Sequence, residues 1–328
     1  MNKADVARQY RDRYGMDMPT HKLARIMYKE HNLLWADVEA ARHCLRSIEG
    51  KIGKRPKSNV KATHTNGPRP MNPYNIPDSD EVNWTPYFCA GSMILVLSDI
   101  HVPYHNVTAL TTAIAWGKKL NPDTILLNGD TIDAHSLSRF VKNPKRRDFA
   151  GELNMFADLI DVLRKEFNEA QIIFKVGNHE ERYDQFLFQK AHELAGVEEF
   201  TLENIIRKRA GREIEFVTDK RIIKAGHLNI IHGHEFAQSI FNPVNPARGL
   251  FLRGKASAMQ GHNHQTSEHT EPNMDGKIMT TWSIGCLCEL HPQYMPINRW
   301  NHGCAFIEVA DDGDFQVQNK RIMGGDIF

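Results

Sequence analysis

The sequence predicts an α/β fold of two stacked mixed β-sheets flanked by helices, preceded by a small three-helix unit. Three observations predict it. Short apolar runs alternate with helical periodicities from about residue 92 to residue 190. The second half of the chain is rich in further strand candidates, and residues 3–50 carry a helical period broken at regular intervals.

In the first unit, residues 1–50, Leu23, Ile26 and Met27, then Val38, Ala41, Leu45 and Ile48, fall at helical spacing after breaks at Gly15, Pro19 and Asn32. Lys22, Arg25, Lys29, Arg42 and Arg46 lie outside the apolar stripes. Such a unit is either a helix-turn-helix DNA binder or a docking element. Residues 51–90 are rich in proline, glycine, asparagine and basic side chains with no apolar period, and read as a linker.

Residues 91–328 carry the α/β pattern. SMILVLSD, DTILLNGD and AQIIFKVGNH are strands, with helices over residues 107–119 and 152–167 between them. More helix follows Arg182, and strand candidates lie at residues 213–217, 228–232, 277–284, 303–309 and 315–322. No internal repeat is present.

Composition narrows the setting. With 41% hydrophobic residues over 328 positions, burial of a sizeable core is expected. No run approaches the ~18 apolar residues of a membrane span, and the charged start lacks the apolar stretch of a secretory signal, so a soluble cytoplasmic protein of a bacterium or virus-infected cell is expected. Cys44, Cys89, Cys286, Cys288 and Cys304 fit no disulfide framework and are expected to be reduced. Cys286 and Cys288 share one face of an extended segment and are expected to pack in the core. The net charge is near zero, but the first seventy residues hold 15 Lys/Arg against 7 Asp/Glu. That end is a candidate for contact with polyanions, or else a solvated helical face.

Ligands in α/β folds collect outside the carboxyl ends of the strands. Here each of those ends is polar: Asp99-Ile100-His101, Gly129-Asp130-Thr131-Ile132-Asp133, Gly177-Asn178-His179-Glu180, His232-Gly233-His234 and Gly261-His262-Asn263-His264. A lone Asp-X-His carries little information, whereas five such blocks at successive strand ends are cumulative. Residues i and i+2 of an extended segment project the same way, so Asp99 with His101, and His262 with His264, can each converge on one site. Carboxylate, imidazole and amide oxygen without thiolate suit manganese, iron, zinc, nickel or magnesium rather than a soft metal.

These blocks resemble those of the calcineurin-like metallophosphoesterases, over roughly residues 92–322. The resemblance implies a four-layer αββα sandwich and two divalent ions, manganese foremost. One ion is held by Asp99, His101, Asp130 and His264, the other by Asp130, Asn178, His232 and His262, with Asp130 bridging and a hydroxide between the ions as nucleophile. It further implies His179 as the acid that protonates the leaving group and Asp133 as the carboxylate that orients it. His234 and His135 stand beside the motifs as pocket-lining candidates. Arg139, Arg248, Arg253 and Lys255 are candidates for gripping phosphate.

The protein serine/threonine phosphatases of that family carry arginine just after the second aspartate of the GD block and just before the glycine of the GNH block. Here those places hold Ala134 and Val176. Less positive charge favours a diester monoanion over a monoester dianion. With the basic N-terminal region and the family's repair nucleases, this gives the expectation of a phosphodiesterase or nuclease acting on DNA or another nucleic acid. The chain, including NPARGLFLRGKA and WSIGCLCELHP, also resembles phosphoesterases encoded by bacteriophages. The alternatives are a hydrolase of nucleotides or other small phosphate esters, and a DNA-binding or recruiting module whose metal site is vestigial.

Overall fold

The computed structural model describes residues 2–15, 18–49, 74, 76–77, 84–140, 148–210, 214–236 and 244–328. The chain divides into two compact units, Met1–Val82 and Asn83–Phe328.

In the first unit three helices form where the periodicity predicts: α1 Lys3–Tyr14, α2 Thr20–Glu30 and α3 Val38–Ile48. Asn2 and Asp37 cap α1 and α3 by accepting from Asp5 N and Ala40 N. Leu23, Met27, Ala41 and Leu45 are buried together with Val6, Tyr10 and Trp35. One ion pair, Arg11 with Glu49, is buried inside the unit, and Thr20 also donates to Glu49. Lys22, Arg25, Lys29 and Arg46 are exposed, while Arg42 is half-buried and paired with Glu39. Most of the expected linker, including residues 51–73, lies outside the described residues.

In the second unit the described strands form two mixed sheets. One has the order β13-β12-β11-β2-β3-β4-β5 and the other β1-β6-β7-β8-β10-β9. The first comprises β2 Met93–Leu97, β3 Thr124–Asn128, β4 Gln171–Lys175, β5 Glu215–Val217, β11 His302–Val309, β12 Phe315–Met323 and β13 Asp326–Ile327. The second comprises β1 Tyr87–Phe88, β6 Ile223–Ala225, β7 Leu228–Ile230, β8 Ala258–Gln260, β9 Ser267–Pro272 and β10 Ile278–Ser283. β2 to β5 are mutually parallel, and β7, β8 and β10 form a second parallel run.

Alternation along β2 explains the layering. Ile94 and Val96 face the second sheet, in a core with Leu126, Ile173, Ile230, Met259 and Ile307. Leu95 and Leu97 face the opposite way, towards Phe156, Ile160 and Leu163 of α5. The helices on that face are α4 Val107–Leu120, α5 Phe149–Glu166 and α7 Leu202–Ala210, with α6 Glu181–Lys190 following β4. On the far side, α8 Pro246–Gly254 lays Leu250 against Ile231 and Ala258. The result is the expected helix–sheet–sheet–helix order.

Some elements depart from expectation. Tyr87 and Phe88, assigned to the linker, pair with β6, and Trp84 donates to Asp219 O at 3.1 Å. The strands β6, β8 and β9 and the helix α8 were not predicted. Cys286 and Cys288 lie outside the named strands, in isolated bridges to His302 and His105. Among the described residues, no helix is long and apolar enough to cross a membrane.

Candidate metal centre

The loops after β2, β3, β4, β7 and β8 meet at one end of the sandwich. Each follows the carboxyl end of a strand in a parallel run, so the five polar blocks converge. Asp99, His101, Asp130, His262 and His264 all have positive φ, between 49° and 64°. Non-glycine residues are uncommon in this region, and five together mean that the surroundings over-determine the backbone. The restraints are visible: His101 N donates to Asp130 O at 2.9 Å, His179 N to Asp130 Oδ1 at 2.9 Å, and His262 N to Asp99 Oδ2 at 2.9 Å. Gly177 and Gly261 are required here, because a methyl group at either would fall inside the contact distance of the Asp130 or Asp99 carboxylate.

The donor atoms lie close together. Asp99 Oδ1 is 3.0 Å from His264 Nε2, which is 3.3 Å from His101 Nε2. Asp130 Oδ2 is 3.2 Å from His232 Nε2, 3.8 Å from His179 Nε2 and 3.9 Å from His101 Nε2. Asp130, His232 and His262 form one group able to hold a cation, and His101, Asp130 and His179 another. Asn178 Oδ1 and His232 Nε2 are buried without a hydrogen-bond partner; the 3.2 Å approach to Asp130 lacks hydrogen-bond geometry. Buried polar atoms are normally satisfied. Two buried polar atoms without partners, set among carboxylates and imidazoles, therefore fit a divalent cation pair with oxygen and nitrogen ligands.

Electrostatics agree. Burial disfavours charge on Asp99 and Asp130, yet His264 beside Asp99 and His232 beside Asp130 hold both carboxyls well below the usual range. In return, against burial, the carboxylates push His264 and His232 up to about 10. Burial, and then the charge of His232, lowers His262 to about 4. The carboxylates that raise these two imidazoles thus favour positive charge at the same two places.

Several further side chains frame the cluster. Asp133 Oδ1 lies 3.0 Å from both His101 Nδ1 and His179 Nδ1, so this carboxylate orients a candidate ligand as well as the candidate acid. The sequence reading had paired it with His179 alone. Burial would raise the Asp133 carboxyl, but its bonds to the two histidines keep it far below normal. His234 Nε2 sits 2.9 Å from Glu181 Oε1, with its ring 5.4 Å from that of His232.

Three roles escaped the sequence reading. Glu180 is buried and accepts from Asp130 N, Thr131 N, Ile132 N and Gly177 N at 2.7–3.0 Å, tying the GD and GNH loops together. Lys175, fully buried at the end of β4, pairs with Glu235 at 2.9 Å, and Glu235 accepts from His232 N and Gly233 N. Arg182, one turn beyond His179, donates to Asp133 O at 2.7 Å and approaches His179 Nε2 at 2.9 Å. GNHEER placed a glutamate and an arginine beside the motif, and only the fold shows where they point. Cys286 and Cys288 are buried, as expected. Cys288 Sγ is also 3.9 Å from His264 Nδ1, so the buried thiol backs a candidate ligand as well.

A cavity of about 290 Å³ opens beside His101, Asp133 and His264. His135 lines it, but Arg139, Arg248 and Arg253 do not. Arg139 lies over the Phe140 ring and Arg253 over that of Phe236; Arg248 is exposed on α8. Lys255 lines a different cavity, together with residues of β12.

The sequence pattern of the family described as calcineurin-like phosphoesterase matches residues 92–271. A curated relative, the Gene 54 protein of Mycobacterium phage L5, is 24% identical over 247 residues, which are 71% of this chain and 94% of that protein. Among solved structures, the chain is similar to a single mutant of Vps29 from Entamoeba histolytica, at 15% identity and TM-score 0.36, over 72% of this chain and 96% of the other. It is also similar to YfcE, a phosphoesterase from E. coli, at 14% identity and TM-score 0.33, over 69% and 98%.

Proposed function

Because this chain belongs to the calcineurin-like phosphoesterase family, we propose that its histidine–aspartate cluster is a dinuclear metal centre that hydrolyses phosphodiesters, with nucleic acid, DNA foremost, as the substrate. One observation carries the reading. A single carboxylate oxygen, Asp130 Oδ2, stands within 4 Å of imidazole nitrogens from three other loops, and the neighbouring Asn178 oxygen is buried and unpartnered.

Asp99, His101, Asp130 and His264 would hold one ion, and Asp130, Asn178, His232 and His262 the other. When bound, two such cations, with manganese the first choice, supply Lewis acidity that activates water and neutralises phosphate charge.

The chain's own residues do the rest. His179 Nδ1 donates to Asp133, which leaves Nε2 aimed towards Asp130 Oδ2 and available to carry the proton for a departing alkoxide. Arg182 occupies that nitrogen in the structure described here. An entering phosphate competes for the guanidinium, which pairs with the anion through two parallel bonds and leaves Nε2 free to take up a proton. Among the described residues Arg182 stands beside the centre, and with Ala134 and Val176 where monoester phosphatases carry their arginines this suits a monoanionic diester. Exposed Lys22, Arg25, Lys29 and Arg46 on the first unit supply charge for a nucleic-acid backbone.

The test offers manganese-loaded protein a model monoester, a model diester, nucleotides, single-stranded DNA, duplex DNA and RNA. Cleavage of the diester and of DNA is expected, with loss of both in Asp130→Ala and His179→Ala. Turnover of the monoester alone would contradict the diester assignment, and turnover of small diesters without any nucleic acid would contradict the substrate.

A further inference from the structure

The cavity beside the centre has a second wall that phosphate chemistry does not require. It comes from residues 288–300, between β10 and β11. The wall is tied to the candidate ligands at both roots: Leu287 N donates to Asp99 O at 3.0 Å, and Asn301 N to His264 O at 2.9 Å. Within it, Asn298 Nδ2 donates to Leu290 O at 2.6 Å and Met295 O at 2.8 Å, while Asn298 Oδ1 accepts from Trp300 N. His291 Nδ1 donates to Pro296 O at 3.0 Å, and Met295 N to Pro292 O at 3.0 Å. The segment is braced at a fixed place relative to the centre.

This braced segment nonetheless exposes apolar side chains. Tyr294 is 72% and Ile297 93% exposed. Trp300 packs on His264 with ring centroids 4.1 Å apart, and Tyr294 lies 6.3 Å from Trp300. Tyr104 adds a third aromatic residue to the cavity, and Glu289 and Gln293 add polar edges. The Tyr294 ring, held out to water on a rigid scaffold, contributes little to folding, whereas a planar ligand covers it. The cavity, about 290 Å³, is at the small end of the ~300–1,000 Å³ typical of ligand pockets. A cavity of this size suits one nucleoside.

We propose that residues 288–300 form a nucleobase subsite, in which Tyr294 stacks on one unpaired base attached to the scissile phosphate and Trp300, set at 64° to Tyr294, meets that base edge-on. The subsite rests on the reading of the centre as a phosphodiesterase. It makes the substrate a single strand, or a duplex end whose terminal base has left the stack, because only an unpaired base presents a free face.

The test compares a thymidine dinucleotide with two counterparts that each lack one base, using the manganese-loaded full chain. Removing one of the two bases is expected to lower kcat/KM about tenfold, as the loss of one stacking contact implies. Tyr294→Ala should lower the intact dinucleotide by a similar factor and abolish the difference, and Tyr294→Phe should keep it. In parallel, a methylphosphonate-linked dinucleotide, which is not cleaved, should bind about tenfold more weakly to Tyr294→Ala. Equal rates for all three substrates, or equal slowing of all three by Tyr294→Ala, would overturn the subsite while leaving hydrolysis in place. If wild type cleaves none of them, the phosphodiesterase reading fails, and Tyr294-dependent binding of the methylphosphonate separately decides whether the base site survives.

Discussion

The two units bury polar groups on different kinds of backbone. Among the described residues of the three-helix unit the buried charges are Arg11 and Glu49, which pair with one another and with Thr20 inside an apolar core, leaving Arg11 Nε without a partner. In the α/β unit Asp99, His101, Asp130, Asp133, Lys175, Glu180, His232 and His264 are buried together, and the loops that carry Asp99, His101, Asp130 and His264 hold left-handed backbone. A lone buried pair on regular helix holds a structure together, whereas dense polar burial on strained backbone marks a place where something else binds.

The contrast can be broken by substitution. The largest effect is expected from Asp130→Ala, which removes the carboxylate shared by the histidine groups: diester turnover should fall by about a thousandfold or more, measured as kcat/KM with manganese. Next is Lys175→Met. It strands the Glu235 carboxylate in the interior and should cost about 3–5 kcal/mol of stability by denaturant titration. Burial opposes ionisation of Glu235, but Lys175 foremost holds it at about 2, below its ordinary 4.5. Its contribution is therefore present above about pH 4.5 and is lost as pH falls towards 2. In Lys175→Met this acid limb should move to higher pH.

Arg182→Ala is expected to lower kcat/KM for diesters by about ten- to a hundredfold, with Arg182→Lys recovering only part, since an ammonium lacks the paired donors of a guanidinium. Reversing the exposed charges at Lys22, Arg25, Lys29 and Arg46 to glutamate should flatten the salt dependence of DNA binding and leave hydrolysis of a small diester unchanged. The smallest effect belongs to the other kind of burial. Replacing Arg11 with Met and Glu49 with Leu together should change stability by about 1 kcal/mol or less, although Arg11→Met alone should be costly.

Much of this was legible from the chain because its signals are local. The apolar period of α2 and α3 and the runs of β2, β3 and β4 show in short windows, and the five polar blocks follow strand ends directly. Other elements left weaker marks. β6, β7 and β8 are three residues each, too short for alternation, and β9 reads Ser-Glu-His-Thr-Glu-Pro with little apolar face. α5 begins at Phe149, three residues before the predicted start, because Asp148 caps it through Gly151 N. At the site, the roles of Glu180, Lys175 and Arg182 depend on partners from distant loops, and the wall carrying Tyr294 and Trp300 gains meaning only once its roots are seen to be bonded to Asp99 and His264.

Counting metal ions tests the central claim most directly. Protein equilibrated with manganese and passed through a desalting column should carry two ions per chain by elemental analysis. Uptake should release protons at neutral pH, because the ions displace those held on His232 and His264. Asp130→Ala should lose the pair. A wild-type chain that retains no ion, or one that binds the same number with and without the Asp130 carboxylate, would contradict the assignment of this cluster as a dinuclear centre.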